Sequence, residues 1–284
     1  MRQHFVDHVS EKTTAATRVR LHPLVTAFDV ADGRLPSVGN DWTRRLFDGN
    51  FYLSPLLEPT RPACGLVFVQ SLDGNTGAQN PFTLGGGEVD KHVIYEGLSQ
   101  VAADAVLAGA DTIRGGDIVF ATWHPELVRL RASLGKPRYP VQIVATLRGM
   151  NLDRCLLFNV PEIPVVVLTV VEGHRNMERE LAARPWVRAI VMEHPQALPA
   201  AFEQLRQQGI ERVTAVGGRH LATQLIDAGL IQDLYLTTSP QPGGEPDTPL
   251  YPRRLQGRTL VRKHGTGPEL GVVFEHLALN ATTV

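Results

Sequence analysis

Val213-Thr-Ala-Val-Gly217-Gly218-Arg-His-Leu221 reads as a buried β-branched strand that runs into two glycines and then into a helix, whose apolar stripe is Leu221, Leu225 and Ile226. A strand that hands over to a helix through glycines leaves the first helical N–H groups unpaired and lets a ligand approach the backbone. The stretch therefore predicts an α/β fold and, at Gly217, Gly218 and Arg219, a place for an anion such as a pyrophosphate. The same two glycines could also be a tight turn without a ligand.

Working outward, the same alternation repeats. Strands are predicted at Leu66 to Val69, Ala105 to Ala108, Val141 to Ala145, Val165 to Thr169, Ala189 to Met192, Val213 to Val216 and Leu234 to Thr238, making one sheet. Helices are predicted at Glu88 to Ala102, Pro125 to Leu134, Arg175 to Ala183, Pro199 to Gln208 and Arg219 to Ala228. Pro125 and Pro199 suit first turns, and Gly209 and Gly229 suit C-terminal caps. Thr259 to Lys263 and Val272 to Leu279 read as two further strands around the Gly-rich turn Gly265 to Gly271, which implies an antiparallel edge. The expected architecture is a three-layer α/β/α body over residues 61–284, with a mostly parallel sheet and an antiparallel C-terminal edge. Residues 1–60 differ, because Pro23, Pro36, Pro55 and Pro59 interrupt short apolar clusters. They read as an arm or small subdomain whose Trp42, Leu46, Phe47, Phe51 and Tyr52 pack on the body, on a partner subunit or over a site.

Composition narrows the function. The 284 residues carry 28 Lys plus Arg against 29 Asp plus Glu, a formal net charge of -1, so no global field is available to hold a nucleic acid. The longest strongly apolar run, Ile163 to Val171, is about half a membrane span, and Met1 to Arg20 lacks the apolar core of a signal peptide. The expectation is a cytoplasmic protein that binds neither membrane nor nucleic acid. Cys64 and Cys155 are the only cysteines, too few for a disulfide framework or a structural zinc site. His124-Pro-Glu126 is half of a zinc deaminase signature whose Cys-x-x-Cys half is missing, so His124 is expected to precede a helix and no metal is expected. Asn280-Ala-Thr282 is a chance glycosylation match.

Three more strand ends bear on chemistry. Asp104-Ala-Val-Leu-Ala-Gly109-Ala-Asp111-Thr112-Ile-Arg114 repeats the strand-to-glycine pattern, with the Thr112 hydroxyl and the Arg114 guanidinium near a helix start. Two such ends can grip one dinucleotide. Thr146 and Arg148 follow the strand Val141 to Ala145, where a hydroxyl and a guanidinium could receive the 2′-phosphate that distinguishes NADP from NAD; Arg148 could equally be a surface arginine. Ser71-Leu72-Asp73-Gly74 places a carboxylate just past the first core strand, suited to substrate binding or proton handling, or simply to a turn. Gly85-Gly86-Gly87, before the helix at Glu88, is a second phosphate cradle or a flexible loop.

Taken in order, Ser71-Leu-Asp-Gly74, Glu88-Val-Asp90, Asp104 to Arg114, Val216-Gly-Gly-Arg-His-Leu221 and Ala228-Gly-Leu-Ile-Gln-Asp233-Leu resemble the reductase domain of bacterial riboflavin biosynthesis over about residues 62 to 280. The resemblance implies a dihydrofolate-reductase-like fold, NADPH as cofactor, and reduction of the ribose of a phosphoribosylamino-pyrimidine, usually in a homodimer. It also implies cofactor contacts at Gly109, Thr112, Gly217, Gly218 and Leu221, with Asp73 at the substrate; Ser71, Gly86 and Gly87 are read beside Asp73 as the rest of the substrate side. Asp73 is the expected catalytic residue. The chain departs from the family's pattern at Val216, where an acidic residue is usual, at Leu98-Ser99-Gln100 in place of Leu-Arg-Ala, and at Gly115 to Phe120 in place of Asp-x-Pro-x-Leu. Two other functions use the same features: reduction of a pteridine C=N bond, as in a dihydrofolate-type reductase, and non-catalytic NADP binding by a regulatory protein.

Overall fold

The computed structural model describes residues 2–78, 80–114 and 116–279. Glycosylation-like Asn280 to Thr282 and Gly115 lie outside the described residues. Ten strands form one sheet in the order β1-β11-β12-β10-β4-β9-β5-β6-β7-β8. In chain order they are β1 (Val25–Asp29), β4 (Ala63–Gln70), β5 (Ala105–Gly109), β6 (Val141–Ala145), β7 (Val165–Val170), β8 (Val187–Met192), β9 (Arg212–Val216), β10 (Asp233–Thr238), β11 (Gly257–His264) and β12 (Val273–Leu279). The short strands β2 (Ser37–Val38) and β3 (Phe51–Tyr52) pair with each other.

The seven strands expected to be buried form the parallel part, β10 through β8, and β12 and β11 add the antiparallel edge. Alternation along the strands divides the core into two layers. Cys64, Leu66 and Phe68 of β4 face the helices Leu198–Gln207 and Arg219–Asp227, through Phe202, Leu205, Ala222 and Leu225. Val67 faces the opposite layer, where the helix over 87–101 supplies Val89, Val93, Ile94 and Leu98. Burying each such side chain stabilises the fold by about 1.5–3 kcal/mol, so this sandwich is the main source of stability. Among the described residues no helix is long and apolar enough to cross a membrane.

Residues 2–60 are woven into the body. The helix Arg2–Arg18 buries Phe5, His8 and Ala16, with Phe5 against Tyr139 and His8 edge-on to Trp123. β1 pairs with β11 and becomes the edge of the sheet. Lys263, 0% exposed, anchors this join by donating to Thr26 Oγ1 at 2.8 Å and to the Asp48 carbonyl at 2.9 Å, with its ammonium 4.6 Å above the Phe47 ring. Burial pulls its pKa down, and the two oxygens and the ring offset part of that cost.

Two helices differ from their expected form. The predicted Arg175 to Ala183 begins earlier, at Val171, because β7 runs straight into it. The predicted Glu88 to Ala102 is π-helical over Asp90–Leu98 and kinks at Gly97, whose φ of -134° and ψ of -113° are not helical. Side chains reinforce the wider turn: Ser99 Oγ donates at 2.7 Å to Ile94 O, which also accepts from Ser99 N–H, and Gln100 Nε2 donates to Tyr95 O at 2.8 Å. Leu98-Ser99-Gln100, unusual for the resembled family, thus has a structural use. At the far end the Arg131 guanidinium donates to the carbonyls of Gln100 and Ala103, placing a cation at the negative end of the helix.

Candidate active site

The carboxyl ends of β5 and β9 lie side by side, since Leu107 pairs with Ala215. β9 ends in Gly217 and Gly218, with φ of 68° and 77°, a left-handed conformation that glycine adopts without penalty. β5 ends in Gly109, the N-terminal cap of the short helix Ala110–Ile113. Thr112 joins the two turns: a Cβ on Gly217 would lie 3.0 Å from Thr112 Oγ1, and one on Gly218 would meet only that hydroxyl, at 3.8 Å. Around Gly109 a Cβ would meet nothing within 4 Å. The helix Arg219–Asp227 starts here with no side-chain cap and no acidic residue in its first turn. Its amino-terminal N–H groups thus face an open, glycine-walled crevice, which suits a dinucleotide pyrophosphate.

Other expected cofactor residues are placed differently. Thr146 is buried and its hydroxyl donates to Gly149 O at 3.1 Å, so it is committed to its own turn and is not presented to a 2′-phosphate. Leu221 is buried among Leu225 and its neighbours in the core layer, so its side chain is a packing residue. Arg148 is exposed beyond β6, with its carbonyl accepting from Asn176 Nδ2 at 3.0 Å. Arg114 pairs with Asp111 at 2.6 Å and reaches Gly149 O at 3.4 Å, which ties the β5 turn to the β6 turn.

On the other flank of β9 lie β4 and β10. Ser71 to Gly74 is a turn closed by Gly74 N–H donating to Ser71 O at 2.9 Å; Ser71 is fully buried and its hydroxyl accepts from Asn75 N–H at 3.2 Å. Ser71 is therefore a buried turn residue, turned away from solvent. Asp73 is exposed, and its Oδ2 accepts from Gly243 N–H at 3.2 Å, which fastens the 240–249 loop to this strand end. Gly86 and Gly87, expected to cradle a phosphate, are filled by protein. A Cβ on Gly86 would lie 2.8 Å from Asp90 Oδ2, and one on Gly87 only 2.6 Å from Glu269 Oε1.

Two residues that the sequence reading did not single out dominate this flank. Asp90 is buried, accepts from the Thr237 hydroxyl, and has its carboxyl pushed up to about 7, mainly by burial, with the neighbouring Glu269 carboxylate adding to the rise. Glu269 Oε1 accepts from Val89 N–H at 2.9 Å, and burial also raises its pKa. Asp90 carried a weak signal as part of Glu88-Val-Asp90. Glu269 carried none, since it lies 180 residues from its partner.

The fold is that of a dihydrofolate-reductase-like α/β domain, with two glycine turns side by side at the carboxyl ends of β5 and β9. Its family follows from sequence: the RibD C-terminal domain matches residues 63–264, and the chain belongs to that family. A comparison with curated proteins finds no match. Among solved structures it resembles a pyrimidine reductase-like protein from Corynebacterium diphtheriae, at 20% identity and a TM-score of 0.58, covering 80% of this chain and 95% of that one. It also resembles RibD from Acinetobacter baumannii, at 18% identity and a TM-score of 0.59. That match covers 78% of this chain, which spans 59% of that protein. A third is a diaminohydroxyphosphoribosylaminopyrimidine deaminase/5-amino-6-(5-phosphoribosylamino)uracil reductase from Thermotoga maritima, at 15% identity and a TM-score of 0.56, covering 78% of this chain and 57% of that one. These identities speak to the fold.

Proposed function

We propose that the protein is an NADPH-dependent reductase of the riboflavin type, acting on a phosphoribosylamino-pyrimidine. The observation that carries the reading is the pair of open glycine turns on β5 and β9, bridged by Thr112 and facing an uncapped helix amino end. Bound NADPH would supply the hydride. Gly109, Gly217 and Gly218 would hold its pyrophosphate at hydrogen-bond distance from backbone N–H groups, and Thr112 would fix the spacing of the two turns. Arg148, exposed next to the β6 turn, is the guanidinium available to a 2′-phosphate once Thr146 is removed from that role. The substrate would lie across β4 and β10, with exposed Asp73 at its edge to relay to it the proton that accompanies the hydride.

Titration of NADPH and NADH, coupled to NADPH-oxidation assays with phosphoribosylamino-pyrimidine and pteridine substrates, tests the reading. NADPH is expected to bind more tightly. Arg148→Ala is expected to weaken NADPH by roughly tenfold, the loss of one charge-assisted contact, and to leave NADH nearly unchanged. Equal affinities in the parent protein would end the NADP assignment. Tight NADPH binding with no turnover on any substrate would favour a regulatory nucleotide-binding protein.

A further inference from the structure

Asp90 and Glu269 lie together on the flank over β4 and β10, and the protein uses them differently. Glu269 is committed to the amino end of the helix over 87–101 through Val89 N–H. Asp90 belongs to the first turn of the π-helical stretch, yet its carboxyl leaves the helix and reaches the sheet, where Oδ1 accepts from the Thr237 hydroxyl of β10. Oδ2 accepts from no described residue, although Asp90 is only 7% exposed. A carboxylate oxygen withdrawn from water without a donor is costly. The rise of this carboxyl to about 7, caused mainly by burial, is what a charge left without enough donors produces.

The register of the sheet fixes where that oxygen lies. Val67 of β4 pairs with Val216 of β9 on one side and with Tyr235 of β10 on the other. Two residues further on, Val69 pairs with Thr237, at the level where β9 has already given way to Gly217 and Gly218. Asp90 Oδ2 sits beside Val69: a Cβ on Gly86 would lie 2.8 Å from this oxygen and 3.0 Å from Val69 Cγ2. The unused acceptor and the open glycine turn are thus at one end of the sheet, separated by two strand spacings, roughly 10 Å. That interval accommodates a planar ring laid over the end of β4. We propose that Asp90 binds the heterocycle of the substrate, with Oδ2 accepting from a ring N–H of the pyrimidine while Thr237 holds Oδ1 and fixes the orientation of the carboxyl. Naming the heterocycle a pyrimidine rests on the reductase reading; the unused acceptor does not. Anchored there, the ring leaves its phosphoribosylamino side for the flank where the cofactor delivers hydride.

Calorimetric titration of the full chain, with and without NADP+, using diaminouracil and its two ring-N-methyl derivatives tests the contact. In the parent, methylating one of the two ring nitrogens is expected to cost at least about tenfold in affinity. Asp90→Asn keeps an oxygen for the Thr237 hydroxyl but sets an amide N–H where Oδ2 was, opposing a ring donor with a donor. It is expected to lose that preference, to raise KM for the phosphoribosylamino-pyrimidine at least about tenfold with a smaller change in kcat, and to bind NADPH as the parent does. Should Asp90→Asn fail to fold, Thr237→Val decides: the carboxyl loses its anchor, and ring affinity is expected to fall at least about threefold at parental NADPH affinity. Equal affinity of the parent for methylated and unmethylated rings, no ring binding up to the solubility limit, or an unchanged preference in the variant overturns the proposal. NADPH oxidation scores the reductase reading separately. Turnover of the pyrimidine without ring preference ends the role of Asp90 and leaves that reading standing, and ring preference without turnover of any substrate does the reverse.

Discussion

The two ends of the parallel strands are built on opposite rules. At the amino end, polar groups are buried and paired. Asp233 Oδ1 meets His276 Nε2 at 2.7 Å, its Oδ2 accepts from Ser54 N–H at 2.8 Å and from the Ser54 hydroxyl, and Asp104 accepts from the N–H groups of Glu211 and Arg212 at 2.9 Å while pairing with Lys136 at 2.6 Å. The cavity there, lined by Ser54, Cys64 and Asp233, has room for about one water molecule. At the carboxyl end of β5 and β9 the backbone is bare, with Gly109 and Gly218 facing open space and a helix start without a cap. The difference teaches where a paired brace and open backbone are kept apart: Ser, His and Asp gather at the amino end, yet the serine bonds to the carboxylate and not to the imidazole, so the group braces the fold and is no hydrolytic triad.

Three substitutions would break or sharpen this contrast. Asp233→Ala strands His276 and Ser54 in the core, and unfolding by denaturant is expected to show a loss of about 3–5 kcal/mol. If that variant is as stable as the parent, the amino end is not the brace described. Gly218→Val puts a β-branched side chain at φ 77° and into the open crevice. Its stability is expected to fall by about 1–3 kcal/mol from backbone strain, and NADPH affinity by roughly tenfold or more. A folded variant with parental affinity, judged by circular dichroism and cofactor titration, would remove the pyrophosphate from this turn. Asp73→Asn changes an exposed side chain, so stability is expected to move by no more than about 0.5 kcal/mol and NADPH binding not at all, while turnover falls. Parental turnover would make Asp73 a loop fastener through Gly243 and nothing more.

What could be read from the chain, and what could not, follows the range over which each feature is specified. The seven parallel strands are runs such as Val165 to Thr169, apolar on both faces and bounded by local turn signals, so they are visible without knowing their neighbours. The glycine turns after β5 and β9 are equally local. β1 was not legible, because Val25 to Asp29 is mostly exposed and alternates poorly; only the edge of β11 makes it a strand. Thr146 and Leu221 were assigned to the cofactor since a strand end or a helix start tells which residues are near a ligand but not which way a side chain turns. Gly86 and Gly87 show the same limit from the other side. Three glycines before a helix announce a close approach, and the approaching group is Glu269 from the far end of the chain.

The join between Lys263 and Thr26 spans 237 residues of sequence. The strand contributed by the arm therefore has nothing to pair with until β11 exists, and during synthesis at the ribosome the body from β4 to β10 can assemble while the arm still waits. Long loop closures of this kind slow folding, and they leave a protein's first-made segment to be its last to settle. For this chain that segment carries Phe47, Phe51 and the other apolar side chains that the finished sheet conceals. The interval before the edge closes thus leaves apolar side chains uncovered, the condition under which incompletely folded chains generally associate.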